Sequence, residues 1–204
     1  MKVDEWLALF RRHPEKKLFS LADLAQLTGE NARSLSVQLT RLTRAQVLKR
    51  AAREWYENPF APPTREEVAM VLRPPAYLSL EYALSAQGIL SQTVETLTLV
   101  TTNPPYTYAP GDVTYEYHHI SPALFWGYTM EGTVAWGEPE KALLDLLYIR
   151  YAQTGEVTLQ DMASLVGDMD IRALDSHLLH RYARRYPPKT RSIISRLHLD
   201  PAAL

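Results

Sequence analysis

Apolar residues recur at helical spacing in three stretches of the first quarter of the chain. Val3 to His13 sets Trp6, Leu7, Leu9 and Phe10 among charged residues and ends on Arg11-Arg12, where a helix dipole favours cations. Ser20 followed by Leu21-Ala22-Asp23 is a capping box, so a second helix is expected from Leu21 to about Thr28. Gly29 stops it, because glycine enters the left-handed conformation without penalty. Asn31 is placed to cap a third helix from Ala32 to about Gln46. On this helix Leu35, Gln38, Leu39, Leu42 and Gln46 share the face turned to a core. The opposite face carries Arg33, Val37, Thr40 and Arg44, flanked by Ser34 and Arg41. The pattern then changes to Val47-Leu48-Lys49-Arg50, the tetrapeptide Ala51-Ala52-Arg53-Glu54, and Trp55-Tyr56-Glu57, which read as a hairpin.

Two helices joined by a tight turn, with a basic ribbon behind them, describe a winged helix-turn-helix over residues 1–60. This motif places its second helix in the DNA major groove. The residues expected to meet DNA are Asn31, Arg33, Ser34, Val37, Thr40, Arg41, Arg44, Lys49, Arg50 and Arg53. The sign of the charge favours this reading, since an outer face selected only for solubility would mix acids with bases.

Asn58-Pro59 and Pro62-Pro63 read as the end of that module and the start of a body over 61–204. Thr64 is a cap for a short helix, Arg65 to Leu72. Ser79 is a cap for another, Leu80 to Gln87, stopped by Gly88. Strands are expected at Val94–Thr102, Thr114–Ile120, Phe125–Met130 and Thr133–Trp136, the last two turned at Glu131-Gly132. Pro139 opens a helix that is apolar over most of its circumference. Thr158–Val166, Ile171–Arg185 and Lys189–Leu197 are three further helical patterns. The fold class is therefore α+β, a winged helix-turn-helix followed by a mixed α/β body with a helical C-terminal part.

The 204 residues are 46% hydrophobic, enough for a buried core, so global disorder is excluded. The absence of cysteine removes disulfides, thiolate nucleophiles and cysteine-ligated zinc. Neither a signal-peptide pattern nor an apolar run of membrane-spanning length is visible, and a cytoplasmic protein without membrane contact is expected. The net charge of −1 hides a segregation. Residues 1–60 hold eleven Lys/Arg against seven Asp/Glu, residues 61–170 four against fourteen, and residues 171–204 seven against two. Arg181, Arg184, Arg185, Lys189, Arg191 and Arg196 then form a second cationic surface, suited to DNA or to the acidic body of a second chain.

Candidate catalytic chemistry is weak. His177 and His180 lie three apart on a helix but lack an obvious third metal ligand, and His118 and His119 point to opposite faces of a strand. Asp168-Met169-Asp170 lacks the upstream Gly-Ser turn of a nucleotidyltransferase, and Asp170 reads as a helix cap. Glu138, Glu140 and Lys141 miss the spacing of a metal-dependent nuclease. They read instead as helix N-terminal carboxylates and a Lys141–Asp145 pair one turn apart. No enzyme, cofactor or metal is expected.

The body carries a resemblance. Pro75-Ala76-Tyr77-Leu78-Ser79-Leu80-Glu81-Tyr82-Ala83-Leu84 and Gly88-Ile89-Leu90 come first, then Leu97-Thr98-Leu99-Val100-Thr101-Thr102. Tyr115-Glu116-Tyr117-His118-His119-Ile120 and Leu124-Phe125-Trp126-Gly127-Tyr128 follow, and then Pro139-Glu140-Lys141-Ala142-Leu143-Leu144-Asp145-Leu146-Leu147-Tyr148. In this order and spacing they resemble the AbiEi family, antitoxins of bacterial type IV abortive-infection modules. The resemblance covers about 76–150. It implies a winged-helix repressor that autoregulates its operon and antagonises a neighbouring nucleotidyltransferase-fold toxin. The implied partner is that toxin; double-stranded operator DNA carrying inverted repeats is expected beside it, with a homodimer on DNA as one arrangement. The wing turn departs from the family, because Ala51-Ala52-Arg53-Glu54 lacks the glycine often found there. Two other readings stand beside it: a ligand-responsive winged-helix regulator with a pocket among Tyr106, Tyr108, Tyr115, Tyr117, Trp126 and Tyr128, and a DNA-targeted nuclease or nucleotide-handling enzyme.

Overall fold

The computed structural model describes residues 1–152 and 167–196, and the chain divides into two compact units, Met1–Leu72 and Arg73–Leu204. The expected helix at Thr158–Val166 lies outside the described residues. The class is mixed α+β, as the sequence pattern predicts.

In the first unit α1 spans Val3–Arg11, α2 Leu21–Thr28 and α3 Ala32–Arg44. Both parts of the capping box at α2 form: Ser20 Oγ accepts the Asp23 N–H at 3.0 Å, and the Ser20 N–H donates to Asp23 Oδ2 at 2.8 Å. Gly29 closes α2 at φ 70°, its N–H donating to Ala25 O at 2.9 Å. Helix α3 ends two residues before the expected Gln46. Gln46 turns left-handed at φ 57°, and the Val47 N–H folds back onto Leu42 O at 3.0 Å. Gln46 is therefore exposed and leaves the core stripe, while Leu35, Leu39 and Leu42 stay in it.

The hairpin is tighter than the sequence suggests. Strands β2 (Arg50–Ala52) and β3 (Trp55–Glu57) are joined by Arg53-Glu54 alone. Glu54 takes the left-handed position at φ 64° that a glycine would otherwise occupy. A third strand, β1 (Leu18–Ser20), was not visible in the sequence because three residues show no alternation. It pairs antiparallel with β3, giving the sheet order β1-β3-β2. This order, with α1 to α3, is compatible with a winged helix-turn-helix. Trp6, Phe10, Phe19, Leu24, Leu35 and Leu39 fill the core.

The boundary between units falls after Leu72, later than the Asn58–Pro63 segment read as a spacer. Asn58 is wholly buried, its amide donating to His13 O at 3.0 Å and Lys16 O at 2.9 Å. Helix α4 (Arg65–Leu72) packs on β2, and Lys17 Nζ reaches Glu67 at 3.0 Å. Buried hydrogen bonding thus holds the proline-flanked segment in place, so proline content did not mark the boundary.

The second unit is built on a six-stranded sheet of order β6-β7-β5-β4-β9-β8. Its strands are β4 (Ala76–Leu78), β5 (Leu97–Thr101), β6 (Tyr106–Tyr108), β7 (Tyr115–His119), β8 (Tyr128–Glu131) and β9 (Val134–Gly137). Strand β5 is buried along its whole length, which marks the middle of the sheet. Strands β4 and β6 were missed, again for shortness. The expected strand at Phe125 starts only at Tyr128, after a 3-10 turn at Pro122–Leu124.

Helices α5 (Leu80–Ala86) and α6 (Pro139–Leu146) pack together, and α6 runs on into a π-helical turn, Leu147–Ala152. The pattern at Ile171–Arg185 resolves into a 3-10 turn, Ile171–Ala173, and helix α7, Ser176–Ala183. Asp170 caps the turn, its side chain accepting the Arg172 N–H, and Asp175 caps α7. Helix α8 follows as Pro188–Arg196. No helix among the described residues is long and apolar enough to cross a membrane.

Candidate nucleic-acid interface

Helix α3 presents two chemically distinct sides. Inward lie Leu35, Leu39 and Leu42; outward lie Arg33, Ser36, Val37, Thr40 and Arg44, all exposed. These five positions follow the i, i+3, i+4, i+7, i+11 spacing of one helix face and include no acid. Val37 is 50% exposed, an apolar side chain in the middle of a polar face. Asn31 Oδ1 accepts the Ser34 N–H at 2.9 Å, which fixes the helix start as predicted. Thr40 Oγ1 donates back to Ser36 O at 2.7 Å, so its hydroxyl proton is used within the helix.

Ser34, one of the expected set, is engaged inside the unit. Ser34 is half-buried and donates to Glu30 Oε2 at 2.7 Å. The Gln38 amide donates to Ser34 Oγ at 3.2 Å and to Glu30, while its carbonyl oxygen accepts the Trp6 indole N–H at 3.1 Å. The Ser34 hydroxyl is thereby held in the α1–α3 seam and away from the outer face. Arg41 is exposed but lines an open groove of about 360 Å³ with Val3, Trp6 and Leu42. Ser36, which the sequence reading passed over, takes the place of Ser34 on the outer face.

The hairpin cations differ from one another. Arg53 stands at the turn with its side chain 90% exposed. Lys49 reaches Glu57 at 3.2 Å, and Arg50 Nε donates to Ala52 O at 3.0 Å. The Lys49 side chain is exposed while Glu57 is buried, so the lysine faces solvent from one end of its pair.

The cationic residues near the C-terminus all stay outward. Leu179, Ala183, Tyr186, Thr190, Ile193 and Ile194 are buried, whereas Arg181, Arg184, Arg185, Lys189, Arg191 and Arg196 are exposed.

A densely bonded polar cluster among the described residues of the second unit was expected only as a Lys141–Asp145 helix pair. Both side chains are wholly buried. Lys141 Nζ donates to Tyr77 Oη and Tyr186 Oη, each at 2.7 Å, and to Asp145 Oδ1. Asp145 accepts in addition from Tyr77 at 2.8 Å, Ser79 at 2.8 Å and Tyr186 at 2.7 Å. The Ser79 hydroxyl is spent here and does not cap α5. Burial drives the Lys141 pKa down against the opposing pull of Asp145, and burial beside Asp145 drives those of Tyr77 and Tyr186 up. Gly127 makes room for this lysine: at φ +72° a Cβ there would stand 3.0 Å from Lys141 Cγ. The signal was present in the sequence, because a helix apolar on nearly every side must also bury whatever charge it carries.

The other candidates are structural. Glu138 Oε2 accepts the Tyr182 hydroxyl at 2.6 Å, and Glu140 Oε1 accepts the Asp175 N–H at 2.8 Å, so both carboxylates tie α6 to α7. His180 Nδ1 lies 2.7 Å from Ser176 O. His118 sits 3.5 Å from Glu116, with burial and Arg150 holding its pKa below the usual imidazole range. Among the described residues no His, Asp or Glu grouping could hold a metal ion. The aromatic residues of the sheet pack on one another: Tyr106 on Tyr108, Tyr108 on Tyr115, and Tyr77 on Tyr128, the last at 5.0 Å.

Comparison with protein families and with curated proteins gives no match. Among solved structures, the chain is similar to the RV2827C protein from Mycobacterium tuberculosis, with a TM-score of 0.53 at 16% identity. The match covers 95% of this chain and 77% of that one. At this identity the likeness concerns the fold alone.

Proposed function

We propose that the chain is a DNA-binding transcriptional repressor. It acts as the antitoxin of a type IV toxin–antitoxin module and represses its own operon. In this reading residues 1–72 are a winged helix-turn-helix, with α3 as the recognition helix and Arg53 at the tip of the wing. The observation that carries it is the outer face of α3, where Arg33, Ser36, Val37, Thr40 and Arg44 stand exposed without an acid among them. Arginine grips guanine through two hydrogen bonds, and a valine methyl suits the thymine methyl. The antitoxin role rests on the resemblance of residues 76–150 to the AbiEi family, and the partner is a nucleotidyltransferase-fold toxin encoded beside this gene. A ligand pocket among the sheet aromatics finds less support, since most of those rings are spent on stacking.

Arg33→Ala is expected to cost about 1–3 kcal/mol on the preferred site and to relax preference at one base pair. Fluorescence anisotropy on the DNA upstream of the gene and on a random duplex measures both. Equal losses on the two would assign Arg33 to phosphates instead. Alanine at Arg44, Arg50 and Arg53 together is expected to weaken binding to every duplex alike. The log–log salt slope should fall by about 2.7, near 0.9 for each phosphate contact. A slope that stays at the wild-type value would remove these three from the interface. For the antitoxin role, co-expression with the neighbouring gene is decisive: rescue of growth supports it, and toxicity undiminished by the full chain refutes it.

A further inference from the structure

The face of α7 and α8 that points to solvent has a composition that selects its partner. From Ser176 to Arg196 there are six Lys/Arg and no Asp or Glu. None of the large exposed hydrophobic side chains belongs to this segment. A protein-docking surface needs an apolar centre within its polar rim. This one offers only charge, which suits a polyanion of regular spacing.

Two of the arginines are also pre-oriented. The Arg185 guanidinium lies 4.1 Å from the centre of the Trp126 ring, and Arg181 lies 5.8 Å from that of Tyr182. Trp126 is itself packed edge-on against Tyr182 at 4.8 Å, and Lys141 Nζ lies 5.2 Å from its ring centre. The platforms are anchored from below, because Tyr182 bonds Glu138 and its neighbour Tyr186 bonds the Lys141–Asp145 pair. A guanidinium held against a ring keeps donors for phosphate beyond those used locally: Arg185 is held over Trp126, and Arg181 also bonds Tyr182. Arg181 lies in the last turn of α7 and Arg185 in the turn that follows it, so the two sit at the same end of the helix. They can therefore grip the same run of backbone.

We infer that Arg181 and Arg185, set on the rings of Tyr182 and Trp126, form a second, sequence-independent site for the phosphate backbone of double-stranded DNA. Arg184 and Arg191 add charge at its margin. The inference rests on the DNA-binding function proposed above and extends it to the second unit. Sequence is then read by α3, while the C-terminal arginines contribute affinity without specificity.

The test uses the full chain, with R181Q/R185Q, R181K/R185K and Arg33→Ala compared across a salt series on the upstream DNA and on a random duplex. The glutamine pair is expected to lower the log–log salt slope by about 1.8 on both duplexes, two contacts at near 0.9 each, and to leave the preference between them unchanged. The lysine pair keeps the charge and is expected to keep the slope, while Arg33→Ala changes the preference. A glutamine pair with wild-type slope and affinity overturns the inference alone. So does a lysine pair that loses as much slope as the glutamine pair, because the loss is then one of folding. A glutamine pair that spares DNA binding but abolishes co-purification with the neighbouring gene product overturns it in favour of an acidic protein. If the wild-type chain binds neither duplex, the proposed function falls first and this surface falls with it.

Discussion

Asp145→Ala is expected to destabilise the second unit by about 3–5 kcal/mol, the usual cost of leaving one partner of a buried ion pair uncompensated. The alanine removes an acceptor used by Lys141, Tyr77, Ser79 and Tyr186, and all four of these residues are buried. Lys141 then remains enclosed with Gly127 packed on its stem, and it must give up its proton or open the structure. Loss of amide hydrogen-exchange protection in β4, α5 and α6 would report the damage, while α1 to α3 keep theirs. Replacing both charges, as in Lys141→Met/Asp145→Leu, should restore part of the loss, since no unpaired charge remains although the Tyr77, Ser79 and Tyr186 hydroxyls still lack their acceptor. If the single and the double variant melt alike, the ion pair is not what the unit depends on.

Phe10→Ala should do comparable harm to the first unit, about 3–5 kcal/mol for a wholly buried aromatic side chain. Phe10 touches Trp6 at 6.0 Å and meets Phe19 edge-on at 5.2 Å, so one truncation loosens α1 from β1 and from the back of α3. For a unit of this size, that loss lowers the melting temperature by more than about 10 °C. DNA binding, if α3 carries it, falls with the fold and not selectively by sequence. Retained protection of α3 amides in this variant would show that the helix is held by other contacts.

The helix termini could be read from the sequence because capping is local. Ser20, Gly29, Asn31 and Thr64 each act on backbone groups within three or four residues, and the structure places α2, α3 and α4 where those residues indicate. Outside the hairpin, strands of three residues could not be read. Leu18–Ser20, Ala76–Leu78 and Tyr106–Tyr108 are too short to show a period of two and exist only because a partner strand remote in sequence pairs with them. The outer face of α3 was legible for the same reason as its caps: once the inward leucines are placed, helical geometry fixes the opposite side. Ser34 was misplaced because its partners, Glu30 and Gln38, are chosen by the seam with α1 and Trp6, which no local pattern reveals.

What the sequence alone determined is the α+β class, the start and outward face of α3, and the segregation of charge between an acidic middle and basic ends. Each depends on spacing along one helix or on composition, which are properties of neighbours in the chain. The tertiary structure alone decided that the Asn58–Pro63 segment belongs inside the first unit, and that Lys141 and Asp145 are enclosed, not solvated. It also decided that Arg185 rests on a tryptophan nearly sixty positions earlier in the chain. Those outcomes depend on partners remote in sequence, such as Asn58 with His13, Asp145 with Tyr77, and Trp126 with Arg185. Burial sets the energy of each, and burial is a property of the packed fold.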